Sequence, residues 1–340
     1  MRKFIVACLL CSAALCFAAG PAAAAAKIPV VVATSEDPDP KNYDHITYLK
    51  MVELAQKYSD NAFDFKLFPS MQLGDEQETV RAMQLGTVHI TFIATNNFAV
   101  FAPSCGWVNM PYLFDSLEEF RFLVDAMWDR HNEWAAKEAG ARALIITDMG
   151  YRQLTTNAKK PVRSLADAKG VKLRLPQNPL MVATFRELGF EPVGIAFSEL
   201  FNALQHGVVD GQEGCFKNVT TYKFYEAQKY ATEINWAVHS TAVVASEPWL
   251  QGLGQKERDA LIRAGREAMA FARTLVAGML KEDGELMTKG GMVLLGPASD
   301  LPEWQRLGRN AWPKCYEVIG GGDAAKGKGI VELALSKKKK

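Results

Sequence analysis

Few residues in this sequence of 340 are placed to do chemistry, and the best placed are arginines. The run Lys169-Gly170-Val171-Lys172-Leu173-Arg174-Leu175-Pro176 puts Arg174 near the C-terminal end of an expected strand, ahead of the turn residues Gln177, Asn178 and Pro179. Gly150-Tyr151-Arg152 follows a second expected strand, Ala143 to Thr147, in the same way. In open α/β sheets, ligands bind at the carboxyl ends of strands. A guanidinium there can hold a carboxylate through two parallel hydrogen bonds. Two strand-end arginines therefore read as an anion clamp. The competing reading pairs each with a nearby acid, and the residues alone leave the two even.

Constellations for catalysis or metal binding are missing. The sequence has no Gly-x-Gly-x-x-Gly, no Walker loop, no Gly-x-Ser-x-Gly and no His-Glu-x-x-His. His45, His89, His131, His206 and His239 are scattered without ligand spacing, and His131, among charged neighbours, reads as part of a solvated face. Asp210 and Glu213 could serve acid/base work, as could dozens of acid pairs in any chain of this size. No catalytic residue, metal ligand or cofactor is expected, which lowers the prior for an enzyme.

The elements that must position the arginines alternate. Ile28–Ala33, Phe63–Phe68 and His89–Ala94 read as strands, separated by helical stripes over 43–59 and 76–85. Asp75-x-x-Glu78 has the form of a capping box at the start of the second helix. The pattern restarts with strands at Ala143–Thr147 and Val171–Leu175 and helices at Pro179–Leu188 and Ser198–Gln205. Strands alternating with helices predict an α/β fold with mainly parallel strands, in two domains. Lys256–Lys289 is free of proline and could be one helix of 34 residues, about 50 Å long at 1.5 Å per residue, although Gly265, Gly278 and Gly284 weaken it and leave a kinked or broken helix as the competing reading. That length could lie across both domains.

Composition sets the compartment. Arg2 and Lys3 precede an uncharged run, Phe4–Ala19, then Gly20-Pro21 and the small residues Ala22–Ala26. This is the pattern of a secretory signal peptide cleaved near Ala26, and the sixteen apolar residues fall short of the roughly 20 needed to span a bilayer. The expected location is the periplasm. Loss of Arg2 and Lys3 takes the formal charge from 39 − 38 = +1 to 37 − 38 = −1. Such a balance gives no field for nucleic acid. Cys105, Cys215 and Cys315 remain of six cysteines; they lack zinc-ligand spacing and are expected to be buried. Ser336–Lys340 reads as a solvated basic tail.

At this point one segment is specific. Phe197-Ser198-Glu199-Leu200-Phe201-Asn202-Ala203-Leu204-Gln205-His206-Gly207-Val208-Val209-Asp210-Gly211-Gln212-Glu213 resembles the signature of the substrate-binding proteins of tripartite ATP-independent periplasmic (TRAP) transporters. Met71–Glu76, Met110–Phe114, Arg152–Thr156, Asp167–Arg174 and Phe224–Tyr230 resemble further blocks of that family, so the resemblance runs from about Lys27 to about Lys289. It implies a two-lobed periplasmic binding protein fold with crossing strands and a long lobe-spanning helix. Lobe 1 would comprise 27–149 plus about 240–279, lobe 2 would comprise 150–239 plus about 280–335, and 336–340 would be the tail.

The resemblance further implies a cleft that closes on an organic acid, a monomer, and a membrane permease of the TRAP type as partner. Arg174 matches the family's carboxylate-binding arginine, Arg152 a second cleft arginine and Phe197 a pocket-lining aromatic. Gln177, Asn178, Thr95 and Asn96 fall on the pocket side of their loops. Two departures stand out: Gly214 replaces the family's asparagine, and Ile234-Asn235-Trp236 replaces a Thr-Asn-His-like run. A lost polar contact and an added aromatic face tilt the expected ligand toward a bulky, apolar or aromatic carboxylate. An exported enzyme acting on organic acids and a ligand-binding protein for a sensor kinase are the alternatives, separable by a turnover assay and by the genes nearby.

Overall fold

A computed structural model describes residues 26–338, so the leader expected over Met1–Ala26 lies almost wholly outside the described residues. Eleven strands run in chain order: β1 Ile28–Ala33, β2 Phe63–Phe68, β3 Ile90–Ala94, β4 Ala141–Tyr151, β5 Gln153–Thr156, β6 Lys172–Leu175, β7 Glu191–Gly194, β8 Gly211–Gly214, β9 Tyr230–Glu233, β10 Val238–Ser246 and β11 Val293–Pro297. They form two sheets, ordered β2-β1-β3-β10-β4 and β11-β9-β5-β8-β6-β7. β1 pairs parallel with β2 and β3, and β6 with β7 and β8. The antiparallel pairings involve β10 in the first sheet and β5 in the second.

Those exceptions are the crossings. β4 runs through the first sheet and continues past Arg152 into β5 of the second. The chain returns from β9 through Ile234–Ala237 into β10, antiparallel beside it, with Tyr151 opposite Val238 and the Arg152 N–H donating to the Ala237 carbonyl at 2.8 Å. Gly150 supplies the kink, at φ +85°, and an added Cβ would come within 2.7 Å of Leu280 Cδ2. An L side chain there meets both backbone strain and a clash.

Each sheet buries its own apolar faces. Val30, Val32, Met51 and Leu261 pack on one side of the first sheet, and Ile93, Phe98, Trp107 and Phe120 on the other. Leu173, Phe185, Trp236 and Trp304 fill the core of the second. A small cluster of Tyr43, Met149, Cys215, Ala272 and Val276 sits where the lobes join. Cys105, Cys215 and Cys315 are all free and buried.

Three expectations need correcting, and one alternative is resolved. The stretch 256–289 is the broken form of the expected helix, two helices at Gln255–Arg273 and Val276–Lys289. The break falls where the Thr274 hydroxyl donates to the Phe271 carbonyl at 2.7 Å, a local bond that competes with the helical ladder. Helices Trp312–Ile319 and Ala324–Ser336, expected in lobe 2, bury Cys315, Ile319, Ile330 and Val331 in the core that holds Phe98 and Trp107. Helix Ala324–Ser336 packs on the short 3₁₀ segment Pro103–Asn109, whereas helix Trp312–Ile319 lies between that segment and helix Pro179–Glu187 of the second lobe, with Cys315 Sγ 3.9 Å from the Thr184 hydroxyl. His131 is buried, not solvated: Trp107 Nε1 donates to its Nδ1 at 3.3 Å, and burial draws its pKa down to about 4. Lys338 is tied down by Glu119 at 2.9 Å and Asp115 at 3.4 Å. Among the described residues, no helix is long and apolar enough to cross a membrane.

Candidate functional site

β6 delivers Arg174 to the space between the two sheets, two residues before Pro176 ends the strand. The side chain is 3% exposed. Its Nε donates to the Ile195 carbonyl at 2.9 Å, and its guanidinium carbon lies 5.9 Å from the centre of the Phe197 ring. Among the described residues no other hydrogen bond reaches this guanidinium, so both terminal nitrogens face the cleft unpaired. Burial draws its pKa down to about 10, with Arg152 acting in the same sense and Glu213 and Glu76 opposing. Arg174 therefore stays cationic at neutral pH.

The cleft consists of two small adjoining cavities of about 50 and 40 Å³, which share Ser35, Glu76, Asn97, Arg174, Pro176 and Phe197. Phe197 is held edge-on against Tyr222, ring centres 4.8 Å apart, and so presents a fixed apolar wall under Arg174. Gln177 lines the smaller cavity. Asn178 caps helix Pro179–Glu187, its Oδ1 accepting from the Met181 N–H at 3.1 Å, while its Nδ2 donates across the cleft to the Asn96 carbonyl. Gly214 and Asn96 line the larger cavity.

Arg152 sits at the crossing and is spoken for. Its Nε and one terminal nitrogen donate to the two oxygens of Glu213 at 2.6 and 2.8 Å; the other terminal nitrogen reaches Asn96 Oδ1 at 3.2 Å and His239 Nδ1 at 2.7 Å. Burial works against its charge, yet the Glu213 carboxylate overcomes that and leaves its pKa raised. Burial, then Arg152, holds His239 well below the usual imidazole range, so the ring is neutral and can accept. The β5–β8 register makes the pair: Gln153 faces Gly214 and Leu154 faces Glu213, which brings Glu213 beside Arg152. The two-arginine clamp thus reduces to one open guanidinium, with Arg152 lining the cavity but internally neutralised.

Two other expected residues are not at the ligand space. Trp236 is fully buried among Phe185 and its neighbours, and its Nε1 donates to Glu213 at 2.9 Å. It braces the Arg152–Glu213 pair and offers no face to the cleft. Thr95 is buried beneath the wall, bonded to Asn109 at 2.9 Å and Ser240 at 2.7 Å.

Sequence reasoning missed the first-lobe wall. Glu36 follows β1, Asp44 stands in the first turn of helix Tyr43–Tyr58, and Glu76 opens helix Glu76–Gln84; all three line the larger cavity. Asp44 is buried and the other two partly so. Glu36 accepts from Asn42 Nδ2 at 2.9 Å, Asp44 from Thr241 Oγ1 at 3.2 Å and Glu76 from Asn97 Nδ2 at 2.6 Å. Burial raises all three carboxyls, Asp44 to about 8 and Glu76 to about 7. Asp44 and Glu76 are first-turn acids, ordinary partners of a helix dipole, and Glu36 is an acid in a loop, so no local signal marked them. Asn218, on helix Phe216–Thr221, also lines the cavity, four residues beyond Gly214, and supplies an amide that Gly214 lacks. Among the described residues no cluster of His, Cys, Asp and Glu could hold a metal ion.

The chain is similar in sequence and fold to known proteins. Residues 34–318 match the model of bacterial extracellular solute-binding protein, family 7. The chain is 29% identical over 233 residues to the 2,3-diketo-L-gulonate-binding periplasmic protein YiaO of Escherichia coli, covering 68% of this chain and 71% of that protein. It is 31% identical over 256 residues to a solute-binding protein of Roseobacter denitrificans, covering 74% and 77%. The crystal structure of that organism's TRAP periplasmic solute-binding protein with bound L-galactonate superposes with a TM-score of 0.80 at 25% identity, covering 92% of this chain and 99% of that one. An open, ligand-free TRAP periplasmic solute-binding protein of Rhodobacter sphaeroides gives 0.76 at 33% identity, covering 91% and 100%. With two crossed α/β lobes and a family match spanning 34–318, the chain belongs to the family 7 bacterial extracellular solute-binding proteins, the periplasmic binding proteins of TRAP transporters.

Proposed function

We propose that this protein captures an organic acid between its lobes, as a monomer in the periplasm, and delivers it to the permease of a TRAP transporter. One observation carries the reading: a buried, charged guanidinium whose two terminal nitrogens face an inter-lobe cavity without a protein partner. Burying an unpaired cation is costly, and a carboxylate bound through both nitrogens relieves that cost with charge-assisted bonds. The Escherichia coli and Roseobacter denitrificans relatives carry sugar-acid ligands in their names, diketogulonate and L-galactonate, which supports an acid as cargo.

Capture and closure are linked. A ligand held by Arg174 and Phe197 of the second lobe meets Glu76 and Asn97 of the first only when the lobes are together, so it shifts the population toward the closed form. The Asn178–Asn96 bond is a protein contact of the same kind. The bulky apolar ligand suggested by Gly214 and Trp236 loses one support, since Trp236 is core. Phe197, Met149, Pro176 and Ala94 still give the larger cavity apolar surface beside its polar side chains, so the lining suits an acid whose body carries both kinds of group.

A thermal-shift screen of the purified protein tests this. The panel comprises aromatic acids, 2-oxo acids, dicarboxylates, sugar acids and amino acids. Ligand bound to the native state raises the midpoint by mass action. Stabilisation by at least one carboxylate, abolished in Arg174→Ala, is the expected result; stabilisation by neutral sugars or amines alone refutes it.

A further inference from the structure

The charge balance of the cleft constrains the rest of the ligand. Glu213 neutralises Arg152, so among the described residues Arg174 is the one cation with open donors on the larger cavity. A bound carboxylate uses it up. Glu36, Asp44 and Glu76 then remain on the opposite wall, from three separate elements, and their hydrogen-bond partners Asn42, Thr241 and Asn97 are neutral. The charged groups around them carry both signs. Glu36 faces Asp37 and Lys217; Asp44 faces Glu36 and Glu76; Glu76 faces Glu36 and Asp75 on one side and Arg174 and Arg152 on the other, and the neutral Tyr222 hydroxyl lies near all three. His239 on the floor is neutral. Lys217 does not line the cavity and lies 3.9 Å from Asp283.

In the empty cleft such a wall settles by keeping protons. Ionised carboxylates only accept hydrogen bonds, and like charges sharing a site cannot all ionise. A second ligand carboxylate would add to the conflict. A group that donates several hydrogen bonds and brings a positive charge resolves it. We propose that the ligand is a zwitterion, with its carboxylate on Arg174 and an ammonium group on the wall formed by Glu36, Asp44 and Glu76, and that the same wall excludes dicarboxylates. This rests on the reading of Arg174 as carboxylate anchor. It has a proton signature: the wall holds protons in the empty cleft, Asp44 titrating near about 8 and Glu76 near about 7. An arriving ammonium lowers those values and drives protons into the buffer. A hydroxy acid releases none, and a dicarboxylate takes protons up.

Isothermal titration calorimetry with matched ω-amino, ω-hydroxy and ω-carboxy acids of three to six carbons, together with the α-amino acids, tests the proposal. Each linear trio has one chain length and differs in its far group alone. The expected result is an amino acid as the tightest ligand, at least about 30-fold tighter than its hydroxy partner, the low end for losing a buried charge pair. Titration at neutral pH in buffers of different ionisation enthalpy should then report proton release. Glu76→Gln should shrink the amino preference about tenfold and improve the dicarboxylate, and Glu36→Gln serves where that variant folds poorly. A hydroxy or dicarboxylic acid binding tightest, no amino acid binding, or no proton release overturns the proposal. If a hydroxy acid wins and Arg174→Ala abolishes its binding, the carboxylate anchor stands and the zwitterion falls. If n-butylamine binds as tightly as 4-aminobutyrate, the anchor falls.

Discussion

Arg174 offers the sharpest test, because affinity and stability should move independently when it is removed. In the empty protein its guanidinium donates one protein hydrogen bond, from Nε to the Ile195 carbonyl at 2.9 Å, and is 3% exposed. The ligand would take the two terminal nitrogens. Each hydrogen bond to a charged group contributes about 1.5–3 kcal/mol, and truncating one partner of a buried charged pair costs about 2–5 kcal/mol. Arg174→Ala should therefore weaken carboxylate binding about 30- to 4000-fold, at about 1.4 kcal/mol per tenfold. Arg174→Lys keeps the charge and loses the fork, so it should fall between, at about 10- to 50-fold. The ligand-free protein should lose little: the Ile195 bond goes, but so does a buried cation short of partners. Calorimetric titration gives the affinities, and thermal melts of the same preparations give the stabilities. A Kd within threefold of the unmodified protein in Arg174→Ala refutes the anchor. So does a large drop in ligand-free midpoint with unchanged affinity, which would make Arg174 a structural residue.

Three further outcomes follow from the same geometry. Glu213→Ala strands Arg152 and leaves Trp236 Nε1 without its acceptor, so urea unfolding should report a loss of about 3–5 kcal/mol; Arg152→Met in the Glu213→Ala background should restore part of it. Gly150→Ala forces an L residue to φ +85° against Leu280 and should cost about 1–3 kcal/mol, also read by urea unfolding; no change would mean the crossing strands can shift. The ligand-free protein should be most stable in mild acid. Asp44 and Glu76 have folded-state values raised to about 8 and about 7 from 3.8 and 4.5, so between those limits the native state holds protons that the unfolded chain has lost. Stability then falls as pH rises from about 4 toward 8 and levels off above, and melts of Glu76→Gln should show a shallower fall.

Much of this protein could be read from its residues. The β-branched run of β1, the Asp75–Glu78 capping box and the helix-ending Gly189 act over a few positions, so local patterns place their elements. Arg174 was legible for the same reason, since a strand followed by Pro176 projects its last side chains past the sheet edge. Where local pattern and packing competed, packing won. His131 carries charged neighbours yet points inward to Trp107. The last two helices look like an appendage of the second lobe in chain order, yet helix Ala324–Ser336 buries against the first and helix Trp312–Ile319 packs between the two.

The partition of the two arginines shows the limit most clearly. The sequence by itself determined the α/β architecture, the family and a guanidinium at the end of β6, because periodicity, caps and one dense motif are properties of neighbours in the chain. It placed Arg152 and Arg174 in equivalent contexts. Only the tertiary structure distinguishes them: strand register sets Glu213 against Arg152, 61 residues away, and leaves Arg174 open. It also gathers Glu36, Asp44 and Glu76 from three elements onto one wall. A charge's partner is decided by distance through space, and no spacing along the chain encodes it.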